Sequence, residues 1–160
     1  MLKALIFWGT AVTVFGAANG LIVHKERLKK NGRTVFLQLA PRDPRSLLQG
    51  DYMALRYDFP NFSLSPDEYD GHIVVKLGKD LVGEFARFHG GEHLATDEVL
   101  IRYRFRRNFG LKIGGDSFFF QEGHSHYYEN ACYGELKVAS NGECLLIGLR
   151  GKNLERLGPP

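Results

Sequence analysis

Two clusters of histidine, glutamate and cysteine side chains could carry chemistry in this 160-residue chain. The first cluster is the segment His89-Gly90-Gly91-Glu92-His93, which matches the pattern H-x-x-E-H. In that pattern a helix places two imidazoles on one zinc ion, and the glutamate acts as the base. Each of the two central glycines disfavours a helix by about 1 kcal/mol, so we predict a solvated loop here rather than a metal site.

The second cluster consists of His124 and His126, with Cys132 following. A neighbouring imidazolium lowers the pKa of a thiol, which would suit a Cys–His dyad. No third group is evident to orient the pair, so a half-buried structural cysteine is the preferred interpretation. A membrane-tethered hydrolase or metal-dependent enzyme that uses residues 89–93 or 124–132 is the alternative function. We assign no catalytic residue, metal or cofactor from the sequence.

The first of the elements that would position these residues is an uncharged N-terminal segment. Residues 4–23 contain no charged side chain, and about 20 helical residues cover the ~30 Å hydrocarbon core of a bilayer. We predict a membrane anchor with a basic collar over residues 1–30 and one domain over residues 31–160. A cleaved signal peptide, with Gly16-Ala17-Ala18 as its cleavage region, and a buried core helix are the alternatives.

The positive charge of the chain is concentrated beside this segment. Residues 1–33 carry six basic side chains and one acidic side chain, and the remainder carries 15 basic and 17 acidic side chains. We therefore predict no nucleic-acid binding, because that function needs a basic surface on the folded domain. The collar favours a cytoplasmic domain by the positive-inside rule, whereas a short tail with Lys3 is typical of an exported anchor. We predict a single-pass protein of the inner membrane with an extracytoplasmic domain.

Small residues recur along one face of the predicted anchor helix. Gly9, Thr13, Gly16 and Gly20 follow an i, i+4, i+7, i+11 spacing, and the last two form a G-x-x-x-G pair. Such pairs let two helix backbones approach closely in lipid. We predict a packing face for a second copy of the chain or for another membrane protein.

The rest of the chain has the alternation and the turn residues of short β-strands. We predict strands at residues 34–39, 52–58, 72–77, 81–88, 99–106, 116–120, 134–138 and 143–149, and short helices near residues 66–69 and 124–130. The Asn141-Gly142 pair predicts a hairpin between the last two strands. The fold class is mainly β, a small antiparallel barrel or sandwich. The spacing of Cys132 and Cys144 permits a disulfide without requiring one.

Residues 50–57 spell G-D-Y-x-x-L-x-Y, and residues 39–49 before them read L-A-P-R-D-P-R-S-L-L-Q. With the F-F-F-Q-E-G-H stretch at residues 118–124, this block resembles the GDYXXLXY family of uncharacterised membrane-anchored bacterial proteins. The resemblance implies an anchor followed by one β-rich domain, often encoded beside a multi-pass membrane protein, with no assigned activity.

The block also has a physical interpretation of its own. On a strand, Tyr52 would face one way while Met53, Leu55 and Tyr57 face the other. Either Asp51 caps a turn and Tyr52 packs, or the block forms a binding edge. The residues of that hypothetical edge are Arg42, Asp43, Arg45, Gly50, Asp51 and Tyr52. Our first functional hypothesis is a non-enzymatic accessory domain that binds a larger membrane protein through the helix face and this edge.

Overall fold

The structure is a computed structural model that describes residues 2–40, 52–60, 70–106, 110–115 and 117–159. Within these ranges, one long helix precedes nine strands and a short 3₁₀ helix. The elements are α1 Leu2–Asn31, β1 Arg33–Gln38, β2 Tyr52–Ala54, β3 Asp70–Leu77, β4 Val82–Phe88, β5 Glu98–Arg106, β6 Gly110–Ile113, β7 Ser117–Phe119, the 3₁₀ helix Ser125–Tyr128, β8 Tyr133–Val138 and β9 Cys144–Arg150.

Helix α1 continues almost directly into the first strand. It has no acidic residue in its first turn and carries Lys29 and Lys30 in its last turn, where positive charge interacts favourably with the helix dipole. The N–H of Gly32 donates to the Leu28 carbonyl at 2.8 Å. A Cβ at position 32 would lie 2.6 Å from that oxygen, so only glycine fits this tight transition without a shift.

Seven strands form one sheet in the order β6-β5-β3-β4-β1-β8-β9. Most neighbours pair antiparallel, but β1 and β4 run parallel, with Phe36 opposite Val82. Alternate side chains point inward, and Val35, Ile73, Ile101, Leu136 and Leu149 are fully buried. These residues form the core of the domain.

The two edges of this sheet approach each other, so the sheet is nearly closed into a barrel. A Cβ at Gly114, just after β6, would lie 3.0 Å from the Sγ of Cys144 on β9. The Arg102 N–H on β5 donates to the Gly142 carbonyl in the β8–β9 turn at 2.8 Å. Closure of this kind removes exposed sheet edges.

A second, two-stranded sheet pairs β2 with β7. It lies at the end of β1 away from α1, since Leu39 forms a bridge with Tyr57 and the Ala40 N–H donates to the Arg56 carbonyl at 2.9 Å. The ring of Tyr128 in the 3₁₀ helix packs against Phe118 and Phe120, with centroids 5.0 and 5.4 Å apart. The barrel therefore has one end at α1 and another at the aromatic β2–β7 sheet.

The predicted fold class is confirmed, as are the Asn141-Gly142 hairpin and the short helix near residues 124–130. The parallel β1–β4 pair departs from the all-antiparallel expectation, because side-chain alternation does not specify strand direction. Strand β6 was not predicted: its four residues carry little pattern of their own, and its pairing with β5 defines it. The helix predicted near residues 66–69 lies outside the described residues.

Candidate functional site

Helix α1 is long and apolar enough to span a membrane. Its segment Ile6–Asn31 contains an 18-residue window with a mean hydropathy of 1.6, and no residue of that window is buried by the rest of the protein. Large apolar side chains such as Phe7, Trp8 and Phe15 are about two-thirds exposed. Length and composition support this assignment, and a signal sequence would meet the same criteria.

The small residues predicted as a packing face are unobstructed. A Cβ built at Gly9, Gly16 or Gly20 meets no other atom within 4 Å. The Thr13 hydroxyl donates to the Gly9 carbonyl at 2.8 Å, which turns the hydroxyl toward its own helix. The face is therefore open for a second helix to approach closely.

The C-terminal part of α1, in contrast, is fastened to the barrel by Glu143 and Leu28. The Glu143 carboxylate lies 2.6 Å from Lys25 Nζ and 2.8 Å from His24 Nε2. The hydrogen bond from Lys25, and next that from His24, lowers the pKa of Glu143. Leu28, one turn further along, is only 6% exposed. We call these four residues the helix clamp.

A groove of about 590 Å³ opens beside the helix clamp, between α1 and the barrel. Leu28, Val99 and Val138 supply buried apolar side chains, and Arg27 and Arg33 supply positive charge. The full lining is His24, Arg27, Leu28, Asn31, Gly32, Arg33, Leu94, Glu98, Val99, Leu100, Val138, Ala139 and Ser140. We call this cavity the junction groove.

Among the described residues that line the junction groove, Glu98 supplies the one carboxylate, and it is already engaged. Both of its oxygens accept hydrogen bonds from the Arg87 guanidinium, and Oε2 also accepts the Ala95 N–H at 2.9 Å. The Arg87 bond is the largest cause of a Glu98 pKa lowered to about 2. Glu98 therefore stays ionised and paired, and it leaves the net charge of the groove positive.

The hypothetical G-D-Y edge is described only at Tyr52. Tyr52 is 43% exposed, and its ring lies 5.7 Å from the ring of Phe119, which is 74% exposed on the paired strand. The pair forms an exposed aromatic patch, which we call the Tyr52–Phe119 patch. The other five predicted edge residues lie outside the described residues: Arg42, Asp43, Arg45, Gly50 and Asp51.

The H-x-x-E-H segment is a turn after β4, as expected from its glycines. Gly91 has a positive φ of 102°, and the Gly90 N–H donates to Glu92. His89 Nδ1 lies 3.4 Å from Glu92 Oε2 without forming a hydrogen bond, and His93 is exposed. Within the described ranges, no three His, Cys, Asp or Glu side chains come together as a metal site.

The second histidine cluster makes local contacts. His126 Nδ1 bonds to the Gly123 carbonyl at 3.0 Å, and its ring lies 4.0 Å from that of Tyr127. The ring of His124 meets Tyr127 edge-on at 5.4 Å. The Cys132 thiol donates to the Asn130 carbonyl at 3.6 Å. These contacts hold the 3₁₀ helix and its flanks together.

The two cysteines lie at opposite ends of the β8–β9 hairpin, and both are free. Cys144 pairs with Val138 beside the turn, whereas the Cys132 N–H donates to the Arg150 carbonyl at the open end. Six strand residues span about 20 Å, and a disulfide needs Cα atoms within about 7 Å, so the permitted bridge does not form within one chain. Burial raises the pKa of Cys144 to about 11.

A comparison with protein-family models decides the relationship that the motif suggests. The GDYXXLXY protein model matches residues 14–149, from the middle of α1 to the end of β9. The chain belongs to the GDYXXLXY protein family. No curated protein and no solved structure matches it.

The structure separates the described residues of the GDYXXLXY motif, positions 52–57, into two groups. Leu55 and Tyr57 are buried in the barrel core, and the Tyr57 hydroxyl donates to the Gly115 carbonyl at 3.3 Å. Tyr52 faces outward instead, as the alternation of buried and exposed residues predicts. The second half of the motif therefore stabilises the fold, and Tyr52 contributes to the exposed surface.

The sequence did not reveal the junction groove or the helix clamp. The sequence places Arg27 in the basic collar, Arg33 only among the basic residues of positions 1–33, and Glu143 only at the start of a predicted strand. The one available signal was a lone glutamate directly after the Asn141-Gly142 turn, a carboxylate that a basic collar requires as a counter-charge. Its partner could not be chosen without the fold, because 118 residues separate Lys25 from Glu143.

Proposed function

We propose that this GDYXXLXY protein is a single-pass membrane-anchored binding protein and that a larger membrane protein is its partner. The helix clamp carries the proposal. It fixes the barrel to the base of α1, so the barrel keeps a defined orientation relative to the anchor. A flexible tether would serve an enzyme that samples its surroundings, whereas a fixed orientation suits a protein that docks against a neighbour in the same membrane.

Two exposed features support docking, one within the bilayer and one at the far end of the barrel. The face of Gly9, Gly16 and Gly20 is open to close helix packing within the bilayer. The Tyr52–Phe119 patch lies at the other end of the barrel, and exposed aromatic side chains are enriched where proteins bind one another. A partner that engages both must have a transmembrane helix and a part that extends out of the membrane. We place the barrel on the extracytoplasmic side of an inner membrane.

Photo-crosslinking in intact membranes tests the proposal. A photoreactive amino acid at position 16 or 119 should give an adduct with the same larger membrane protein. Two positions serve as controls and should not give this adduct. They are position 18, on the opposite side of α1, and position 81, an exposed leucine in the β3–β4 turn. Adducts of twice the chain mass would show a homodimer instead, and equal labelling at all four positions would contradict a specific partner.

A further inference from the structure

We propose that the junction groove binds the headgroup of an anionic phospholipid and thereby fixes the barrel against the membrane surface. The inference rests on the proposed membrane anchoring, and it adds a ligand to that arrangement. It is carried by the position of the groove, its two arginines and its apolar floor.

The position of the groove brings it to the membrane surface. Four lining residues lie on α1, at positions 24, 27, 28 and 31. They share one helix face, directly after Val23, the last residue of the uncharged segment. An anchor that buries residues 4–23 in hydrocarbon therefore puts His24 and Arg27 at headgroup depth. The groove would open where lipid phosphates are concentrated.

Two arginines give the groove its charge complementarity. Arg33 donates to the backbone carbonyls of Thr96 and Glu98, at 3.0 and 3.2 Å, so its position is fixed while its charge is not cancelled by a carboxylate. The guanidinium of Arg27 has no hydrogen bond or ion pair with any described residue, and it is exposed on the groove wall. A guanidinium offers planar paired donors that match phosphate oxygens.

The nearby carboxylates of Glu98 and Glu143 do not cancel the positive charge of the two arginines. Glu98 is held by Arg87, and Glu143 at the helix clamp is held by Lys25 and His24. The apolar floor of Leu28, Val99 and Val138 continues to Leu94, which is 39% exposed and available to a lipid chain. An amphiphile with an anionic head and an apolar tail fits the groove better than a free anion does.

Native mass spectrometry of the detergent-solubilised full chain tests the proposal, with phosphatidylglycerol and phosphatidylcholine as probes. We expect the first phosphatidylglycerol to bind preferentially, and Arg27→Gln to weaken it about fivefold, the effect expected for one basic residue near an anionic headgroup. Lys30→Gln removes the same charge from the same collar outside the groove and should leave this binding unchanged. Leu94→Asn should weaken both lipids.

Three results would overturn the proposal. One is equal binding of the two lipids. Another is an equal loss in Arg27→Gln and Lys30→Gln, which would show general attraction to the collar rather than a site. The third is displacement by inorganic phosphate alone, which would show a free-anion site. Flotation of the same variants with vesicles reports anchoring separately, so a failed anchor and a failed lipid site give different results.

Discussion

The two ends of the barrel are built from different side chains. The α1 end combines the helix clamp with the junction groove, where Glu143 and Glu98 are paired with basic side chains and Arg33 is held by backbone carbonyls. The β2–β7 end combines stacked aromatic rings with two exposed ones, Tyr52 and Phe119. Paired charges fix the orientation of a helix, and exposed rings leave surface for a partner. From this comparison we propose that one end sets the anchoring geometry and that the other docks a partner.

Among substitutions at the two ends, Leu28→Ala is expected to have the largest effect on stability. Removing this buried side chain should lower the free energy of unfolding of the barrel by about 2–3 kcal/mol, the cost of lost apolar contacts and a cavity. Urea denaturation of the full chain in detergent measures it. Leu21→Ala, on the exposed part of α1, is the matched control and should change it by less than about 0.5 kcal/mol. Equal effects would mean that α1 is not seated on the barrel.

The next effect concerns acid stability at the α1 end. The Glu98 pKa is about 2 in the folded protein and 4.5 ordinarily, so the folded state binds fewer protons than the unfolded state between these values. The stability that Glu98 supplies is present above about pH 4.5 and is lost as the pH falls toward 2. Glu98→Gln should lower the melting temperature at neutral pH and flatten its decline in acid. Parallel pH profiles for both proteins would contradict the paired carboxylate.

A smaller effect is expected for the polar half of the helix clamp. Glu143→Gln removes the acceptor charge for Lys25 and His24 and should cost about 0.5–1 kcal/mol, since the pair is partly exposed. Hydrogen exchange at the Gly32 amide, which bonds to Leu28, should accelerate as the end of α1 loosens. Glu129→Gln, an exposed glutamate after the 3₁₀ helix, should leave this exchange unchanged. If exchange at the Gly32 amide is unchanged in Glu143→Gln, Glu143 does not hold the end of α1 on the barrel.

The smallest effect on stability is expected at the β2–β7 end of the barrel. Phe119→Ser replaces a ring that is 74% exposed, so thermal unfolding should stay within about 0.5 kcal/mol of the wild type. The same substitution should abolish the crosslink from position 16 if both surfaces bind one partner cooperatively. A large loss of stability would show that the ring packs in the fold rather than serving a partner.

Local patterns were sufficient to predict most of the fold. Alternation placed the strands, and the Asn141-Gly142 pair placed the last hairpin, because both depend on neighbours in sequence. The parallel β1–β4 pair and strand β6 were beyond reach, because strand direction and the pairing of a four-residue strand depend on distant segments. The candidate site likewise has one part that local sequence reveals and one part that depends on distant segments. The apolar N-terminal helix was evident from 20 uncharged residues, whereas the junction groove needs Arg27, Val99 and Val138 to meet in three dimensions.

The most direct test of the central claim, that α1 anchors the chain and also packs on the barrel, is alkaline carbonate extraction of membranes followed by intact mass measurement. We expect the protein to stay in the membrane fraction with α1 uncleaved. A soluble form that lacks the first 18 residues would contradict the anchor and show that the segment is a signal peptide.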